Sequence, residues 1–133
     1  MKRDLFLFIL VIILPILQQC KTDAPATITI ISCTLIDEDN KPVEGEVFTI
    51  SGYYRKGLSG IPTFYENIKT DKDGKFRYEK QIPFNTEQAD IAPYSAIKQF
   101  QFINTDGQYQ LVSSPLRITM GQENTFNFKL LKK

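Results

Sequence analysis

Thr70-Asp71-Lys72-Asp73-Gly74-Lys75-Phe76-Arg77-Tyr78-Glu79-Lys80-Gln81-Ile82 is the stretch that decides the fold. Asp71 to Gly74 are turn formers. After them Phe76, Tyr78, Lys80 and Ile82 alternate with Arg77, Glu79 and Gln81. Gly74 can take the positive φ that a tight reversal demands, and period-two alternation marks a half-buried strand. The spacing predicts a hairpin, with Thr63–Thr70 running into the turn and Lys75–Ile82 returning from it.

The same signals recur on both sides. Thr27–Ile36 is rich in Ile and Thr, which suit a pleated surface, and its alternation slips between Ile30 and Ile31, the mark of a bulge or of burial on both faces. Asp37 to Pro42 is a turn cluster, Val43–Tyr54 a second strand, and Arg55–Pro62, with two glycines and a proline, a loop. Pro83–Pro93 is the longest irregular stretch and a candidate crossing between sheets. Ser95–Ile103 and Gln108–Val112 flank a second hairpin turn, Asn104 to Gly107; Leu116–Met120 is a short strand, and Thr125–Leu131 closes the chain with Phe126, Phe128 and Leu130 alternating. About seven short strands with frequent turns and no helical period predict an all-β sandwich over 27–133.

The first residues read differently. Lys2 and Arg3 precede Leu5–Leu17, an apolar run without charge. Its length suits the core of a secretory signal, roughly 7–15 residues, and falls short of the roughly 20 that span a bilayer. One reading makes residues 1–19 a lipoprotein signal with Cys20 as the lipidated residue and 20–26 as a tether. Leu17 and Cys20 have the required type and spacing, while Gln18 and Gln19 are bulkier than usual there. Cleavage after Ala24-Pro25-Ala26 and a retained anchor are the alternatives. Each places the domain outside the cytoplasm; with Lys21 after Cys20, the lipoprotein reading points to the outer membrane.

Composition narrows the chemistry. Removing Lys2, Arg3 and Asp4 from sixteen basic and fifteen acidic residues leaves 14 of each, with no basic footprint for nucleic acid. The chain contains no histidine, which removes Ser-His-Asp and Cys-His catalysis and His-based zinc sites. Cys33, in an apolar run, is expected to pack as a small hydrophobe. Glu44, Glu46, Glu66 and Glu79 are the carboxylates available for a glycosidase-like pair, but solvated strand faces explain them as well. No enzyme, catalytic residue or cofactor is expected.

Two ligand chemistries stay open. Asp37, Asp39, Asp71 and Asp73 are calcium candidates, although setting Gly74 at the sixth position of an EF-hand puts Lys69 first and Lys80 twelfth, where acids are needed. Tyr53, Tyr54 and Tyr65 are candidate aromatic contacts for a glycan; Tyr53 and Tyr54, adjacent in a strand, are expected on opposite faces.

Cys33-Thr34-Leu35-Ile36-Asp37-Glu38-Asp39-Asn40-Lys41-Pro42-Val43-Glu44-Gly45-Glu46-Val47-Phe48-Thr49-Ile50 resembles the opening of carboxypeptidase regulatory-like domains, and Thr70 to Phe76 resembles their T-D-x-D-G-x-[FY] turn. Cys33 and Asn40 stand where that family usually has glycine, and Glu46 where it has a small residue. The resemblance covers Thr29–Ile82. It implies a transthyretin-like Greek-key β-sandwich, carried on small lipoproteins of Bacteroidetes-type bacteria, that serves as a structural or binding module. The function expected from residues and resemblance together is a non-enzymatic, lipid-anchored envelope module engaging another envelope protein. A secreted or surface glycan- or calcium-binding module is the alternative.

Overall fold

Strand β1 (Ile28–Ile36) turns Thr29, Ile31, Cys33 and Leu35 inward in strict alternation. The slip between Ile30 and Ile31 is therefore neither a bulge nor double burial: Thr29 takes an inward place, and its hydroxyl accepts a hydrogen bond from the Gly121 N–H at 2.7 Å. The computed structural model describes residues 27–132; the expected signal 1–19 and the tether 20–26, with Cys20, lie outside them. The described chain is all β.

Eight strands follow β1: β2 (Val47–Lys56), β3 (Ser59–Lys69), β4 (Lys75–Gln81), β5 (Gln88–Pro93), β6 (Gln99–Ile103), β7 (Tyr109–Leu111), β8 (Leu116–Ile118) and β9 (Glu123–Leu131). They form two sheets, ordered β4-β1-β9-β6-β7 and β3-β2-β5-β8. All pairs are antiparallel except β1 with β9. The sheets bury Phe48 against three rings of the opposite sheet, with centroids 4.8 Å (Phe128), 5.7 Å (Phe76) and 6.0 Å (Phe100) away. These are favourable aromatic separations, and Ile31, Leu35, Ile50 and Ile91 complete the fully buried layer.

Three expectations are corrected. Asp71–Gly74 is not a hairpin turn: β3 and β4 belong to different sheets, and β4 pairs with β1. The turn carries the chain across the sandwich, because the apolar faces of both strands must meet the same core. Arg55–Pro62 is not a loop: β2 and β3 continue to a reversal at Gly57-Leu58, with Lys56 opposite Ser59. Pro62, which has no N–H for the ladder, sits in edge strand β3, where prolines are tolerated. Gln88–Pro93, read as irregular, is β5, an inner strand burying Ala89 and Ile91; with it the strands number nine rather than about seven.

Three reversals share one design. In Asp37–Lys41, Asp71–Lys75 and Asn104–Gln108 the first side chain's Oδ1 accepts the backbone N–H groups two and four residues on. The fourth residue has positive φ: Asn40 at 60°, Gly74 at 68° and Gly107 at 76°. Asn40 thus does the work of a glycine, since its short polar side chain tolerates that conformation.

Candidate functional site

β2 pairs with β5 only as far as Tyr53 opposite Gln88, so the last turn of the β2–β3 ribbon overhangs the start of β5. A register shift between Gly52 and Tyr53 bends the ribbon. Gly52 is required there, since an added Cβ would fall 2.1 Å from the Phe64 ring. Such bulges raise local twist and re-aim side chains.

The overhang makes one wall of a cleft of about 670 Å³, the start of β5 its floor, and Pro115 and Arg117 its far wall. Tyr53 and Tyr54 both line it, each half-buried. Their consecutive pairing, with Pro62 and Ile61, keeps them on alternate faces as expected, and neither is buried in the core, because the ribbon here reaches beyond the sheet. Tyr65 does not join them: it lies on β3 opposite Ser51, exposed, with its hydroxyl 3.5 Å from Thr49 Oγ1.

The floor is polar and ordered. Asp90 is buried, with Oδ1 3.1 Å from Arg117 Nε and Oδ2 accepting from Gln88 Nε2 at 2.6 Å. Arg117 stands directly opposite Asp90 across the β5–β8 pair. The Glu87 N–H donates to the Tyr53 carbonyl at 2.8 Å, and Glu87 Oε2 accepts from the Arg55 N–H at 3.2 Å. Sequence reasoning missed Glu87, Gln88, Asp90 and Arg117, because nothing local marks β5 as a strand or sets it beside the tyrosines.

Three of the four calcium candidates, Asp37, Asp39 and Asp71, have other work. The first two reversals do meet, since Gly74 packs against Leu35, Pro42 and Val43. However, Asp37 and Asp71 each spend Oδ1 on their own turn, and Asp39 pairs with Lys132. Among the described residues, no group of three or more His, Cys, Asp or Glu is placed to hold a metal ion. The Lys41 N–H, above all, holds the Asp37 carboxyl below the usual carboxylate range. Glu44 and Glu46 precede β2, which begins at Val47 rather than Val43; Glu46 pairs with Lys98, Glu66 with Lys80 and Glu79 with Arg77, so each of these three meets a cation rather than a second acid. Burial drives the Cys33 thiol far above its ordinary range.

A second surface feature is strand edge β7. The Val112 N–H donates to Phe100 and the Asn104 N–H to Gln108, so the alternating ladder directs the backbone groups of Tyr109 and Leu111 away from β6. All three β7 residues are exposed.

No protein-family model matches the chain, and no curated protein matches it. Among solved structures it is similar to the major pilin subunit of Bacillus cereus, at 19% identity and a TM-score of 0.48, over 80% of this chain and 31% of that one. It is similar to a streptococcal ancillary pilin at 14% identity and 0.48, over 82% of this chain and 34% of that one. The 3-chlorocatechol 1,2-dioxygenase of Rhodococcus opacus follows at 12% and 0.43, over 84% and 62%. The chain thus spans about a third of either pilin. These are partial likenesses of backbone, and no function is drawn from them.

Proposed function

We propose that this chain is a non-enzymatic, lipid-anchored module of the bacterial envelope, held at the outer membrane through Cys20, that engages another envelope protein by strand addition. In this reading it is a transthyretin-like sandwich of the carboxypeptidase regulatory-like kind. The β7 edge carries the proposal. Proteins guard free strand edges with charge, proline, bulges or cover, because unpaired backbone groups recruit other chains. Edge β4 presents Lys75, Arg77 and Glu79; edge β3 has Pro62 and the bulge; edge β8 follows Pro115 and carries Arg117. Among the described residues edge β7 has no proline, bulge or charge of its own, and no charged residue occurs from Gly107 to Leu116; the nearest cation is Lys129 of β9, whose Nζ lies 4.5 Å from the Tyr109 ring centroid. An extended partner segment on β7 would gain main-chain hydrogen bonds, with Tyr109 and Leu111 supplying side-chain contact.

Photo-crosslinking in cells tests this. A photoreactive residue in place of Tyr109 is expected to give an adduct with one envelope protein, lost on Leu111→Lys with the thermal midpoint unchanged. The same group in place of Arg77 is expected to give none. No adduct at Tyr109 would overturn the edge assignment. The anchor is tested separately by intact mass, which should place acyl chains on Cys20, and by Cys20→Ala, which should move the protein to the soluble fraction. An unmodified chain starting at Thr27 would refute lipidation.

A further inference from the structure

We infer that the cleft between the β2–β3 ribbon and strands β5 and β8 is a binding site for a neutral oligosaccharide, separate from the β7 edge. Its volume, about 670 Å³, lies within the roughly 300–1,000 Å³ of small-ligand sites. What selects a saccharide is the pairing of flat aromatic faces with planar, bidentate polar groups. A sugar ring has one face of C–H groups, which lies on an aromatic ring, and a rim of hydroxyls that both donate and accept. Tyr53, on the same face as Gln88 and Asp90, brings such a ring, with a hydroxyl, to the cleft, and Tyr54 beside it also lines the wall.

The polar groups suit the rim. Arg117 engages Asp90 through Nε, and its two terminal nitrogens have no hydrogen-bond partner among the described residues, so the planar fork can reach adjacent hydroxyls. Glu87 and Gln88 supply acceptors, and the Gln88 carboxamide is fixed by its bond to Asp90. Asp90, buried and held from both sides, keeps Arg117 and Gln88 in place before any ligand arrives. Preorganisation of this kind lowers the cost of binding.

The charge balance indicates a neutral ligand. Arg55 and Arg117 among the lining residues are matched by Glu87 and Asp90. A phosphorylated or uronate sugar would meet two carboxylates as well as two guanidinium groups, whereas hydroxyls pair with both. The register keeps Tyr53 on the face of its partner Gln88, and of Asp90 two residues on, so its ring is the one set over the polar floor.

The test is calorimetric titration of the full chain in detergent with short neutral oligosaccharides of glucan, mannan, xylan, galactan and chitin, alongside oligouronates. At least one neutral series is expected to bind. Tyr53→Ala should weaken it about tenfold, as loss of an aromatic anchor does, while Tyr53→Phe keeps most of the affinity and Tyr65→Ala all of it. Arg117→Gln, which retains a planar donor, is expected to weaken binding without abolishing it. Failure of every neutral oligosaccharide to bind, binding only of oligouronates, or binding unchanged in the Tyr53→Ala/Tyr54→Ala double variant would each overturn the inference. None of these outcomes bears on the β7 crosslink, so the two readings fail independently.

Discussion

Gly74→Ala and Gly107→Ala make the same chemical change in two reversals of the same design, and the structure sets their costs far apart. The glycines have φ of 68° and 76°, and each donates to the carbonyl three residues back at 2.9 and 3.0 Å. Placing alanine in the left-handed region costs about 1–2 kcal/mol in either turn. At Gly107 that is the whole cost, since nothing lies within 4 Å of an added Cβ. At Gly74 the Cβ would sit 2.3 Å from the Leu35 carbonyl oxygen and 3.0 Å from the Val43 nitrogen. An ordinary carbon–oxygen contact is about 3.3 Å or more, so backbone must move by about 1 Å. The atoms that must move hold the β1 end together: the Leu35 N–H donates to the Gly74 carbonyl at 2.7 Å, and the Val43 N–H to Leu35 at 3.2 Å. Overpacking of this kind costs about 1–3 kcal/mol, and each weakened hydrogen bond up to about 1 kcal/mol. Gly74→Ala is therefore expected to cost about 2–4 kcal/mol more than Gly107→Ala, read as the gap in urea unfolding free energy at a shared slope. Equal costs, within about 0.5 kcal/mol, would refute the close packing of the first two reversals.

Three further outcomes are expected. Phe48→Ala should lose about 3–5 kcal/mol by chemical denaturation, since Phe48 meets three rings, whereas the fully exposed Phe84 should tolerate alanine within about 0.5 kcal/mol; similar losses would contradict the assigned core. The lowered Asp37 pKa stabilises the fold above the unfolded value, about 3.9, and that contribution is lost as pH falls through the lower folded value. Asp37→Asn keeps the turn acceptor without the titration, so it should lose at neutral pH the contribution of the ionised carboxylate, and its stability below about pH 4 should fall less steeply with acid than in the wild type; parallel acid limbs would refute this. Cys33, buried and with its thiol held protonated, should react with a thiol reagent only at the rate of global unfolding; fast labelling of the native protein would show that β1 opens locally.

Much of this chain was legible because strand signals are local. The alternation of Phe76, Tyr78 and Lys80, and of Phe126, Phe128 and Leu130, depends only on which side of a pleat each residue occupies, and both sets lie in strands with that alternation. The reversal at Asn104 to Gly107 and the left-handed Asn40 follow from side chains bonding to their own backbone, which sequence also carries. Partner choice between strands is not local. Asp71–Gly74 has the composition of a hairpin turn, yet it crosses between sheets, with β4 pairing β1 and β3 pairing β2.

The candidate site was half visible for the same reason. Sequence alone set out the strand-forming segments, the turn chemistry, the absence of histidine, and Tyr53 and Tyr54 as aromatics worth placing. Only the tertiary structure decided that both tyrosines share a cleft, that Gln88–Pro93 forms its floor, and that Arg117 arrives from β8 to fix Asp90. β5 consists largely of small and polar residues whose strand state comes from pairing with β2 and β8. Such pairing joins residues tens of positions apart, and its energy exists only once the sandwich has closed around Phe48.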